Sequence, residues 1–233
     1  MTIMRIKYKK QGNLKFISHL ELMKTVERIF RRMQLPLKFS QGFNPHPKIS
    51  FAAPLPVGVS SEAEFLDAEL TEEIDLKEML ATQKQFLPNG LEFVEATFLE
   101  KSSSLMSLVE FSEYVLNLEL SEDMDEEAFK SKLESFLNRE EILFKKKNKK
   151  GKMTEKNIRE LIFKIDFMTK TGNEILLRTK LKTGSNGNLK PEILIALMNE
   201  YDNLGAIDHK LRIHRISLSA LKKDEEINLF EAK

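Results

Sequence analysis

Hydrophobic and polar positions change period repeatedly along the chain, and each change marks an element. Ile3, Met4, Ile6 and Tyr8 are set partly in alternation against Arg5, Lys7 and Lys9, the two-residue period of a strand with one basic face. Leu22, Val26, Ile29, Phe30 and Met33 then recur at helical spacing, with Lys24, Arg28, Arg31 and Arg32 off the apolar stripe. Ser18 and Glu21 match the S-x-x-E capping box, and Ile17 with Leu22 suits a hydrophobic staple. Pro36 sets a stop near Gln34. Short strand pieces follow around 37–51, then a strand at 61–70, a helix near 76–86 and a strand near 91–98. The second part repeats the order: strand 108–120, helix 125–138, strands 141–147, 159–168 and 174–182, helix 191–201 opened by Pro191, and strand 211–219.

That order predicts an α+β protein of two ferredoxin-like (βαββαβ) halves side by side. The halves would be residues 1–100 and 108–233, joined by the serine-rich "EKSSSLMS" at 100–107. One continuous mixed sheet is the alternative.

Composition narrows the function classes. Among 233 residues there is no cysteine, which excludes disulfides, thiolate nucleophiles, thiolate zinc sites and cysteine-held iron–sulfur clusters. No apolar run approaches the roughly 20 residues that span a bilayer, and the first residues lack a signal-peptide pattern, so a cytoplasmic protein without membrane contact is expected. The overall net charge of +1 conceals a division: residues 1–60 carry a net +9, 61–140 a net −15 and 141–233 a net +7. Two basic regions suggest a polyanion such as RNA, or an acidic protein face, as partner.

The candidate chemistry gathers in residues 18–48. In "SQGFNPHPK", Pro45 and Pro47 fix φ and push Asn44 and His46 toward extended backbone, giving a stiff display loop. Gly42 permits a turn, and Gln41, Asn44, His46 and Lys48 offer donors with no acid in the surrounding 40–58 segment. Phosphate or a nucleotide base suits that set; a structural turn is the plain alternative. His19, at the expected first helical position, meets a dipole that disfavours imidazolium and attracts phosphate. Lys24, Arg28, Arg31 and Arg32 mark a helix flank able to grip phosphates. "KKKNKKGK" at 145–152 reads as a basic tip between two strands, and "ELSEDMDEE" at 119–127 as an acidic helix start. Two glycines in "KTGSNGNLKPE" lack the P-loop order, and H-E-x-x-H, G-x-S-x-G and G-x-G-x-x-G motifs are absent.

With these residues in view, residues 4–70 resemble the bacterial radical SAM-linked family, a domain of unknown function found alone or fused behind radical SAM proteins. "FISHL", "QGFNPHPKISF" and "PLPVGV" carry the likeness most strongly, with weaker support from "NIRELI" and "LKPE". The resemblance implies RNA-related work beside a radical SAM protein. Lacking cysteine, the chain cannot itself hold the cluster such an enzyme needs. A fainter similarity links it to double ferredoxin-like RNA endonucleases of CRISPR systems, but residues 206–233 contain none of the glycines of their C-terminal loop.

The expectation is therefore an accessory RNA-binding module, without cofactor or metal, that works with a separate radical SAM enzyme on RNA or a ribonucleoprotein. Two alternatives remain open at this level. One is a protein–protein adaptor with an apolar patch at Phe43, Ile49 and Phe51; the other is a metal-independent RNA endonuclease using His19 or His46.

Overall fold

The computed structural model describes residues 2–100, 103–147 and 151–232. In chain order the elements are β1 (Thr2–Lys10), α1 (His19–Arg32), β2 (Ile49–Phe51), β3 (Ser60–Leu70), α2 (Leu76–Thr82), β4 (Leu91–Leu99), α3 (Leu105–Leu108), β5 (Phe111–Glu119), α4 (Glu126–Leu137), β6 (Leu143–Lys147), β7 (Met153–Asn157), β8 (Ile162–Thr171), β9 (Glu174–Lys182), α5 (Pro191–Asp202), β10 (Arg212–Lys222) and β11 (Glu225–Asn228). The protein is α+β. It divides into two compact units, residues 1–112 with 214–233, and residues 113–213. No described helix is long and apolar enough to cross a membrane.

In the first unit the strands run in the order β4-β1-β3-β10, with β2 on β3 and β11 on β10. β1 is antiparallel to β3 and to β4, and β2 is antiparallel to β3. β10 lies parallel to β3, with His214 opposite Ser60 and Arg215 opposite Ser61. Residues 214–233, with most of β10 and all of β11, fall in this first unit.

α1 forms because its sequence agrees with itself at every turn. Ser18 Oγ accepts from Glu21 N at 3.3 Å and the Glu21 carboxylate accepts from Ser18 N at 2.8 Å, the expected capping box. Leu22, Val26, Ile29 and Phe30 are buried against Met4, Ile6, Tyr8, Leu66, Ala68 and Phe93. The helix stops where Gln34 enters the left-handed region at φ 55°.

One expectation about β1 fails. Its basic residues do not form one solvent face: Arg5 and Lys10 are buried, and Lys7 and Lys9 are half-buried. Arg5 is fully buried; Nε and Nη2 donate to both Asp67 oxygens at 2.7 and 2.8 Å, and Nη1 donates to the Leu229 and Ala232 carbonyls. Lys10 is fully buried as well.

In the second unit, β5-β9-β8 form the sheet, and α4 and α5 lie side by side. Lys132 Nζ donates to the Asp202 carbonyl at 2.7 Å and Ser135 Oγ to Asp202 Oδ1 at 2.8 Å, tying the helices together. Asp125 caps α4 by accepting from Ala128 N, the role expected of the acidic stretch. Pro191 opens α5 as expected. β6 pairs with β7, not with the strand expected at 159–168, and the two form a separate two-stranded ribbon.

Candidate nucleic-acid interface

The four cations foreseen on α1 share its outer side. Lys24, Arg28, Arg31 and Arg32 stand at i, i+4, i+7 and i+8, so they form one ridge, and all four are exposed. Burial of the opposite stripe fixes this ridge outward. Arg28 Nε donates to the Lys24 carbonyl and Nη2 to Thr25 Oγ1, each at 3.3 Å, which lays its guanidinium along the helix. Among the described residues none of the four forms an ion pair with a carboxylate. Arg31 and Arg32 also sit in the last turn, where cations complement the helix dipole.

The "SQGFNPHPK" loop is closed at its base. Ser40 N donates to the His46 carbonyl at 2.9 Å, His46 N donates to Ser40 Oγ at 3.0 Å, and Lys48 N donates to the Lys38 carbonyl at 2.9 Å. Gly42 turns the tip with φ 133°. Gln41, Phe43, Asn44 and His46 all project into solvent, and Phe43 is fully exposed.

Lys48 departs from expectation. The loop has no acid of its own, but β3 supplies one: Glu69 takes the Lys48 ammonium at 3.1 Å and Lys38 at 3.8 Å. Acid-free sequence therefore did not mean uncompensated charge. The apolar patch expected of Phe43, Ile49 and Phe51 is not formed as such either. Phe51 is buried, and Ile49 is half-buried.

His19 begins α1 as expected, but it works with a different set of residues. Its ring stands edge-on to Phe51 at 5.3 Å, and Tyr8 meets the same Phe51 ring edge-on at 6.3 Å. Phe51 pairs opposite Leu66, whereas the display loop is anchored farther along β3, with Leu37 opposite Leu70 and Lys38 N bonded to Glu69 O. At ~3.3 Å per residue, the step from Leu66 to Leu70 is about 13 Å. His19 and the loop base thus occupy different stations on β3.

The residues around His19 were invisible as a group in the sequence. Glu64 lies opposite Tyr8 in the β1–β3 register. Its carboxylate accepts from Arg215 Nη1 at 2.9 and 3.1 Å, both residues being buried. Lys10 Nζ donates to the Ile17 carbonyl at 3.0 Å. Burial, helped by Glu64, pushes the Tyr8 phenol well above its ordinary pKa, and burial lowers those of His19 and Lys10. Only Arg215, about 150 positions from Glu64, completes the ion pair, so no local signal announces it.

In the second unit the β6–β7 ribbon carries Lys145, Lys146, Lys147 and Lys156, all exposed, with Lys145 paired to Glu155 at 3.5 Å. Asn148, Lys149 and Lys150 of the expected basic tip lie outside the described residues.

The fold and these surfaces define an α+β protein with an exposed cationic helix face whose four cations form no ion pair among the described residues. The chain belongs to DUF2344, a family of uncharacterized proteins conserved in bacteria, whose model matches residues 4–191. No curated protein matches the sequence. Among solved structures it is similar to a chain of a Cbf5-Nop10-Gar1 complex, with 14% identity, TM-score 0.54, and coverage of 92% of this chain and 48% of that one. It is also similar to a chain of the archaeal box H/ACA sRNP Nop10-Cbf5 complex, at 15% identity and TM-score 0.50, covering 91% of this chain and 46% of that one. An H/ACA RNP bound to a substrate RNA containing 2′-deoxyuridine gives 14% identity and TM-score 0.50, again covering 91% and 46%. The chain spans about half the length of the solved chains it matches, and the likeness is one of fold.

Proposed function

We propose that the protein is an RNA-binding accessory module that works beside a separate radical SAM enzyme. The observation that carries this reading is the ridge Lys24, Arg28, Arg31 and Arg32, exposed and without ion pairs among the described residues. Guanidinium forks unengaged by carboxylates suit successive phosphates, and releasing counterions from RNA supplies the driving force. Gln41, Asn44 and His46 offer donors and acceptors at the tip of the closed loop, with Phe43 beside them as a face on which a base can stack. Lys48 shares its charge with Glu69 and orients the loop more than it attracts phosphate. Fold likeness to chains of H/ACA ribonucleoproteins supports an RNA-related role. The radical SAM partner rests on the resemblance in residues 4–70, and the pair would act in the cytoplasm.

The same reading takes the first unit, with its βαββαβ order and strand order β4-β1-β3-β2, as one ferredoxin-like half. The second half would be its counterpart built from residues 108–233.

RNA recovered from cells with the purified protein tests the function. Enrichment should fall at least tenfold in the Arg28→Glu, Arg31→Glu, Arg32→Glu triple variant, since three phosphate contacts become repulsive. Equal recovery with both proteins defeats the reading, and a protein partner retained by both would favour the adaptor.

A further inference from the structure

Every residue of β7 is exposed, and β6 has no buried residue; only Leu143 and Phe144 are half-buried. The ribbon therefore buries little apolar surface, and a two-stranded ribbon by itself is marginal in water. It is held at its root instead. Leu143 N donates to the Tyr201 hydroxyl of α5 at 3.0 Å, and Ile158 N donates to the Ile142 carbonyl at 2.8 Å. Ile142 N and Arg159 N both donate to Asn157 Oδ1, at 3.1 and 3.0 Å, and Arg159 Nε donates to the Leu137 carbonyl at the end of α4 at 3.1 Å. The strand pair is thus an exposed arm fixed to both helices of its unit, with no core of its own.

The register settles how its charges are arranged. Lys145 stands opposite Glu155, Lys146 opposite Thr154, Lys147 opposite Met153 and Phe144 opposite Lys156. Side chains alternate along a strand, and directly opposed residues share a face. One face therefore carries Lys147 and the Lys145–Glu155 pair at 3.5 Å, and the other carries Lys146 and Lys156 with no carboxylate. Lys146, Lys147 and Lys156 form no ion pair among the described residues. Lys146 and Lys156 are diagonal neighbours, about 7–8 Å apart at this kind of spacing, so like charges oppose the pairing of a ribbon that packing supports only weakly. An anionic partner removes that repulsion.

Cations on two opposite faces need anions on two sides. A flat acidic protein face or a lipid surface meets one face of a ribbon and leaves the other in water. Met153 is the large exposed hydrophobic residue of the ribbon among the described residues, too little apolar surface to enter a bilayer. A duplex groove, by contrast, is walled by two phosphate strands. The major groove of B-form DNA admits a two-stranded ribbon, and A-form RNA offers its wide minor groove.

We propose that the β6–β7 ribbon is a duplex-binding arm, which lies in a nucleic-acid groove with Lys146 and Lys156 toward one phosphate strand and Lys147 toward the other. The arm belongs to the second unit and the α1 ridge to the first, and the arm acts whether or not the ridge carries RNA.

Fluorescence anisotropy on the whole chain tests the arm with three probes: a blunt RNA duplex, the DNA duplex of the same sequence and the single RNA strand. Replacing Lys146, Lys147 and Lys156 together by Gln should weaken duplex binding about tenfold or more and make the slope of log affinity against log salt shallower by about 2 to 3. The single strand should lose much less, because it presents one phosphate strand. All three side chains are exposed, so the unfolding midpoint should not move, and Arg at the same positions should restore duplex binding. Glu155→Gln, which releases Lys145 on the Lys147 face, should strengthen it. A loss confined to the RNA duplex assigns an RNA stem, and one confined to the DNA duplex assigns DNA. Unchanged duplex affinity in the triple Gln variant, even where an acidic protein is captured through the ribbon, or a loss as large on the single strand as on the duplex, overturns the proposal.

Discussion

Glu64 and Arg215 hold opposite charges out of water, 2% exposed each, at 2.9 and 3.1 Å. Such a pair contributes little net stability, but breaking it strands a buried charge. Glu64→Leu should therefore lower the urea unfolding free energy by about 3–5 kcal/mol, and adding Arg215→Leu should restore much of the loss. A single variant with unchanged stability would show that water reaches the pair. His19 makes a pH prediction whose sign follows from burial. Its folded pKa lies below the unfolded value, so the unfolded chain binds more protons between the two and stability declines as pH falls below about 6.5. His19→Gln should flatten that decline when unfolding midpoints at pH 7.5 and 5.5 are compared; parallel pH profiles for both proteins would contradict it. Glu64 could not have been singled out from the sequence, because its importance arises from a partner more than a hundred positions away.

At the level of elements, α1 was legible and β1 only half so. Cap, staple, apolar stripe and proline stop all point to the same helix, and local agreement of that kind survives tertiary folding. Ser18→Ala tests it: loss of the cap should cost about 1 kcal/mol in urea unfolding while leaving the Arg-bearing face intact. An unchanged midpoint would mean that packing alone sets the helix start. β1 shows why alternation misleads. The pattern of Arg5, Lys7 and Lys9 gives the period but does not say how far each position is covered: Arg5 is buried while Lys7 and Lys9 are half-buried. Arg5 was thus read as surface charge although it binds Asp67 and the C-terminal carbonyls. β7, "MTEKN", went unrecognised because every residue in it is exposed, so no hydrophobic pattern marks it; ladder pairing with β6 holds it instead. The exposed loop 41–46 has no acid in its own segment, yet Lys48 is paired, because Glu69 comes from β3 and is distant in sequence.

Across the whole molecule, the near-neutral total hides separated basic and acidic stretches, and the fold presents part of one basic stretch as an exposed helix ridge without ion pairs among the described residues. Sequence gave the ridge's residues through periodicity. It could not show which cations stay unpaired, since Lys9 pairs with Glu92 and Lys48 with Glu69 while the α1 four pair with no carboxylate among the described residues. The most direct measurement is the salt dependence of affinity for a structured cellular RNA, wild type against Arg28→Ala, Arg31→Ala, Arg32→Ala. Each lost phosphate contact removes roughly 0.7–0.9 from the slope of log affinity against log salt, so the variant's slope should be shallower by about 2 to 3. Identical slopes and affinities in the two proteins would place RNA binding, if any occurs, elsewhere and contradict the ridge as its carrier.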